Sequence, residues 1–338
     1  MRLSPTLLTV GLLGWTGCRG GTCPGAVQDA VAPAAAPPAL ADGAMMLALS
    51  LHLEGYDSDL EQHEQLLEEV QQVLDTAARF DVSLALEASI EFLAWEVAGE
   101  CTLLQEAAAA GHQVVPHMSL YVTEPDEAAA TAQLEQSLAE LDALGIGAPV
   151  HVSGVCTSMD WIGLSEAEGF VEVGGLVAYC LQSLDEIPPE YSDYADCGHP
   201  AGRCHDEVPT ALADRLYPWR SDDSGNWLEH KDQGVWLIPA AVNFACAAEN
   251  QDTTRPETGC PIGPDDVETI DATFDEAWAD ASQAGAKVFQ VTWSLGTIAA
   301  ADDLELLFTT LQQRVDADQA TWMTPDQVVE TLEDQAGG

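Results

Sequence analysis

From Ala44 to Leu332 the chain alternates short apolar runs with stretches of helical periodicity, and this alternation restricts its fold more than any other feature. Ala44–Leu53 is an almost continuous apolar run closed by Gly55, the pattern of a strand buried on both faces. Residues 58–79 follow with Leu60, Leu66, Leu67, Val70, Val73 and Leu74 at helical spacing and Ser58 as N-cap. The spacing then predicts strand 82–86, helix 90–110, strand 113–118, helix 126–144, strand 149–155, helix 164–169 and strand 171–177. Residues 181–235 break the rhythm with Pro188, Pro189, Cys197, Cys204 and several aromatics, and read as a loop insertion stapled by a disulfide. Strand 235–242, helix 265–284, strand 287–292, helix 301–316 and strand 321–323 restore it. Thr324-Pro325-Asp326-Gln327 opens a last helix with a capping box and Pro at its first position. Strands joined through helices must run parallel, so the expected fold class is α/β, a single (β/α)7-type barrel over residues 44–338.

In such a barrel chemistry gathers at the C-terminal ends of the strands. There the first strand carries His52 and Glu54, the third His117, the fourth Ser153 and Cys156, and the late strand Trp293 and Ser294. His52 and Glu54 stand two apart and share a face. With His117 they form an N/O donor set that suits a divalent metal such as zinc. If they are ligands, their donor atoms lie within roughly 3–4 Å of one another. The other reading is a pair of core histidines hydrogen-bonded to Glu54 with no metal. Asp57 and Asp59 follow closely; either supplies a base, or both are acids complementing a helix N-terminus.

The order of these segments resembles the polysaccharide deacetylase (NodB-homology) family. The residues that carry the likeness are Ser50-Leu51-His52-Leu53-Glu54-Gly55 and Gly111-His112-Gln113-Val114-Val115-Pro116-His117. The resemblance implies a NodB-like barrel, a divalent metal held by Glu54 and His117, and hydrolysis of N- or O-acyl groups on a carbohydrate polymer. The family's second metal histidine falls on Tyr121, its first-motif base on Leu53 and its late acid on Trp293 or Ser294. Asp57 and Tyr121 are therefore the candidate catalytic side chains beside the metal set His52, Glu54 and His117. The alternative is a deacetylase fold without catalysis, serving as a glycan-binding or structural module. Tyr217-Pro218-Trp219-Arg220 and Trp227 form an aromatic cluster with one arginine, a candidate platform for sugar rings; the same aromatics also suit packing a loop against the barrel.

Residues 1–17 combine Arg2 with an apolar run too short to span a membrane, the pattern of a signal peptide. Thr16-Gly17-Cys18 resembles a lipoprotein cleavage site, which places a lipid on Cys18. Residues 18–43 are rich in Gly, Ala and Pro and read as a disordered tether. The expected location is the bacterial cell envelope, with the membrane touched only through the lipid. Nine cysteines suit that oxidising setting, and Cys197–Cys204 and Cys246–Cys260 are plausible local bridges. The Cys197-Gly198-His199 and Cys204-His205 spacing also suits zinc, but export favours a disulfide loop. A formal net charge of −47, with Lys231 and Lys287 the only lysines, argues against nucleic acid as a partner and resembles adaptation to salty water.

Overall fold

The computed structural model describes residues 37–41, 43–54, 60–99, 102–120, 126–194, 207–208, 210–243, 263–295 and 301–337. Its strands are β1 (Met45–Leu53), β2 (Ala85–Ser89), β3 (Gln113–His117), β4 (His151–Val152), β5 (Glu172–Leu176), β6 (Trp219–Ser221), β7 (Val235–Pro239), β8 (Val242–Asn243), β9 (Val288–Ser294) and β10 (Ala320–Trp322). The α-helices are α1 (Leu60–Arg79), α2 (Ile90–Gly99), α3 (Leu103–Ala109), α4 (Glu127–Ala143), α5 (Trp161–Ala167), α6 (Leu212–Arg215), α7 (Pro264–Ala279), α8 (Ala301–Asp316) and α9 (Pro325–Gly337).

One sheet runs β3-β2-β1-β9-β8, with β10 paired to β1; a second runs β4-β5-β7-β6. Every pairing is parallel except β6 with β7. The alternation predicts a parallel sheet closed or nearly closed into a barrel. In the structure the strands form two parallel-rich sheets, joined on one side by a parallel bridge between His117 and Ser153. On the other side β7 continues through Ala240 and Ala241 into β8, which pairs with β9.

β1 explains how this arrangement carries both a core and a site. Met45, Leu47, Leu49, Leu51 and Leu53 point to the helix side and are buried in a cluster with Val70 and Val73 of α1, Phe274 of α7 and Phe308 of α8. Their neighbours on the other face begin apolar and turn polar: Met46 packs with Ile238, Met323 and Val328 at the N-terminal end, and Ser50 and His52 follow. Apolar side chains plug one end of the interior while polar ones fill the other.

Several boundaries differ from those read in the sequence. β2 lies three residues later than expected, at Ala85–Ser89, which brings Glu87 onto its inner face. The single helix expected over 90–110 is two: α2 ends at Gly99, a residue that weakens helices, and α3 begins after Thr102. α7 stops at Ala279 because Lys287 Nζ donates to the carbonyls of Ala277, Trp278 and Asp280 and so closes its C-terminal end. The described part of the insertion contains 3₁₀ turns, α6 and β6. At its base Cys156 is bonded to Cys180, a pairing the spacing did not suggest. Cys197, Cys204, Cys246 and Cys260 lie outside the described residues.

Candidate metal centre

His52 and Glu54 leave the end of β1 on its inner face, and His117 ends β3. Parallel pairing sets register partners side by side on one face, and the partners here are all polar. His52 is opposite Glu87 of β2, Ser89 of β2 opposite His117, and His151 of β4 opposite Glu172 of β5. The inner face thus collects three imidazoles and three carboxylates.

Donor atoms of His52, Glu54 and His117 all lie within 4.8 Å of one another. Nε2 of His117 is 3.1 Å from Oε1 of Glu54, and the His52 and His117 rings sit 4.2 Å apart between centroids. His117 is held from behind, its Nδ1 lying 2.8 Å from Ser153 Oγ. Its buried Nε2 has no aligned hydrogen bond among the described residues, although Glu54 is close. Two imidazoles and a carboxylate that converge this closely are a donor set that a divalent cation fits.

Beneath this set lies Glu87, wholly buried. Its Oε2 is 2.8 Å from His52 Nε2 and 3.8 Å from His117 Nδ1, and its Oε1 is 3.4 Å from His151 Nε2. His151 in turn places Nδ1 2.9 Å from Glu172 Oε1, both residues being wholly buried. Burial pushes the Glu87 carboxyl up, but the charge of His52 and contacts with all three imidazoles prevail and hold it well below the usual carboxylate range. Burial alone would depress His117; bonding and charge from Glu54 and Glu87 outweigh it and hold that imidazole up at about 9. The same contest holds His151 up at about 10, through Glu172 and Glu87. Glu172 is pushed up by its burial, so the His151–Glu172 pair keeps its proton across neutral pH.

Two glycines make room for these rings. A Cβ on Gly174 would stand 2.2 Å from Cε1 of His151. Gly154 has φ +66°, and a Cβ there would meet Ser119 N at 2.7 Å and His117 Cε1 at 2.8 Å.

Of the residues singled out in the sequence, His52, Glu54 and His117 come together. Asp57, Tyr121 and Cys18 lie outside the described residues. The aromatic platform is corrected. Trp227 is wholly buried and Trp219 is 6 % exposed. Their rings stack 6.1 Å apart and their indole N–H groups donate to the carbonyls of Cys180 and Trp227 respectively. With both faces and both donors engaged, they hold the insertion against the sheet and offer no surface to a sugar. Arg220 is committed to Glu333 of α9 and to the ring of Trp236. His112 is also structural: its Nδ1 accepts from Leu84 N, and burial pushes its pKa down to about 4. Sequence reasoning missed Glu87, His151 and Glu172. The signal was an acid or histidine inside an apolar strand run, as in Ala85-Leu86-Glu87-Ala88-Ser89 and Val171-Glu172-Val173.

No family model and no curated protein matches this chain. Among solved structures, a protein from Mycobacterium smegmatis assigned as a polysaccharide deacetylase superimposes with a TM-score of 0.56 at 15% identity, over 90% of this chain and 96% of that one. One from Pseudomonas aeruginosa with the same assignment gives 0.54 at 13% identity, over 86% of this chain and 91% of that one. An allantoinase gives 0.54 at 12% identity, over 85% of this chain and 89% of that one. At such identities the likeness speaks of architecture alone. The fold of this chain is the NodB-like α/β fold that these structures share.

Proposed function

We propose that this chain is an exported, metal-dependent hydrolase that removes N- or O-acyl groups from a cell-surface glycan. The observation that carries the reading is the convergence of His52, Glu54 and His117 at the polar end of β1 and β3. The polysaccharide deacetylase assignment of two structures with this fold supports the substrate class. His52, Glu54 and His117 would hold the divalent cation, zinc being suited to two nitrogens and an oxygen. When bound, it supplies the Lewis acidity that activates water and polarises an acyl carbonyl. Ser153 orients His117 through Nδ1, and the buried carboxylate of Glu87 offsets the charge gathered around it. Asp57, three residues after Glu54 in the sequence, is the proposed base, with Tyr121 as a second catalytic side chain. Lipidation at Cys18 and a tether over 18–43 complete the proposal; a Cys18→Ala chain then moves from the membrane to the soluble fraction.

Metal analysis of the purified chain, with acetate release from chitin oligomers, tests the function. One zinc per chain and acetate release, both lost in His117→Ala with far-UV circular dichroism retained, is the expected result. Neither metal nor acetate would overturn it. The second reading, a glycan-binding or structural module without catalysis, is favoured at the family's late acid position, which falls on Trp293 or Ser294: neither is an acid or a histidine, and Trp293 packs into the core with 1 % exposure. Metal-free chain that still retains chitin oligomers on an affinity column is the outcome that selects it.

A further inference from the structure

His117 is held from the side of β4, and what holds that side in place lies outside the centre. Ser153 N donates to Pro116 O, Met118 N to Ser153 O and Leu120 N to Gly154 O, which zips residues 153–154 onto the end of β3. Ser153 Oγ lies 2.8 Å from Nδ1 of His117. The Gly154 backbone runs against the ring itself, where a Cβ would stand 2.8 Å from Cε1. A buried ring packed this closely follows any shift of the segment beside it.

β4 supplies little of the support for this segment, since only His151 and Val152 belong to it. Close after Ser153, Cys156 is bonded to Cys180. The anchor on the far side is firm. Cys180 has no exposure, its N–H donates to Val177 O, and its carbonyl accepts from Nε1 of Trp227 at 2.9 Å. Trp227 is itself wholly buried, stacked on Trp219 and met edge to face by Trp161. A continuous path thus runs from the tryptophans of the insertion, through the disulfide, to the wall behind His117.

We propose that Cys156 and Cys180 are positioning residues of the centre, their disulfide being the link through which the insertion fixes Ser153 and Gly154 against His117. A disulfide that only restrains the unfolded chain changes stability and leaves the folded site as it was. One that seats the hydrogen-bond partner of a ligand histidine also changes cation affinity in the folded state, by the about 10–100-fold typical of such outer partners. The proposal deepens the metal-centre reading and rests on it for the affinity measurement alone.

Two measurements on the full chain test it, both made on the double variant Cys156→Ala, Cys180→Ala. Amide hydrogen exchange of metal-free protein reads the wall directly. Met118 and Leu120 should lose more protection than Met45 and Met46, whose N–H groups donate to Gln319 and Lys287 at the N-terminal end of β1. Equal loss at all four is what global destabilisation gives, and it overturns the proposal whether or not metal binds. Zinc affinity by chelator competition should fall about 10–100-fold with far-UV circular dichroism retained. Leu311→Ala, in the core cluster on the helix side of β1, is the control that lowers stability and should leave the affinity at the wild-type value. Unchanged affinity in the double variant, or equal loss in both, overturns the positioning role. If the double variant fails to fold, Trp227→Phe takes its place: it keeps the disulfide and removes the donor to Cys180 O. Protection at Met118 and Leu120 should then fall in the same sense, and no change there overturns the proposal. If the wild-type chain binds no zinc, exchange alone decides, and that result counts against the function and not against the disulfide.

Discussion

The residues that matter most here are few, buried and charged, and each tolerates little change. Gly174 illustrates this: a methyl group there would lie 2.2 Å from the ring of His151, which is itself locked between Glu87 and Glu172. Neither ring nor strand can yield cheaply, so Gly174→Ala should destabilise the chain by about 1–3 kcal/mol, read as a lower urea midpoint. His151 also sets a pH dependence. Its pKa is about 10 in the folded chain, against about 6.5 in an unfolded one. A raised folded pKa means that the protonated form is the stabilising one. Its contribution is therefore complete below about pH 6.5 and lost as pH rises through about 10. The urea midpoint of metal-free chain should fall between pH 7 and 10, and His151→Gln should flatten that fall while lowering stability throughout.

Between elements, the connections are made by small polar groups that the apolar pattern does not reveal. Asp160 caps α5 by accepting from Gly163 N at 3.0 Å, and it also accepts from Ser224 Oγ at 2.7 Å. Ser224 in turn accepts from Ile162 N, in the first turn of the same helix. One aspartate thus ties a helix start to the insertion, which Trp161 and Trp227 clamp edge to face beside it. Asp160→Ala should cost about 1–2 kcal/mol, the upper range for an N-cap, because Ser224 loses its partner too. Thermal melts of Asp160→Ala, Ser224→Ala and the double variant should show the two losses to be less than additive.

Across the whole molecule, charge dominates. With 57 acidic and 10 basic residues, the chain repels itself at low ionic strength. Several of the few cations are engaged within the fold: Lys287 at the end of α7, Arg314 with Asp271 and Asp275, Arg79 with Glu305. Raising salt from about 0.01 to 1 M shortens the screening length from about 30 to 3 Å. The melting temperature should therefore rise steadily with KCl, and a flat or falling curve would show that self-repulsion is not what limits stability. Sucrose at matched osmolarity separates screening from solvent exclusion.

The alternation of apolar runs determined the α/β class, the parallel strands and the polar end of β1, because burial on both faces of a strand is written directly in sequence period. It also placed His52, Glu54 and His117 at strand ends. Segment boundaries were less legible: β2 read three residues early left Glu87 outside a strand, and its inward direction followed only from the true register. His151 and Glu172 each look unremarkable beside their own neighbours, and they become a pair because β4 and β5 are adjacent. Trp219 and Trp227 read equally as sugar platform or loop packing, since exposure belongs to the fold and not to the residue. Which strands lie side by side, and so which buried charges meet, is a matter of long-range pairing, and only the tertiary structure decided it.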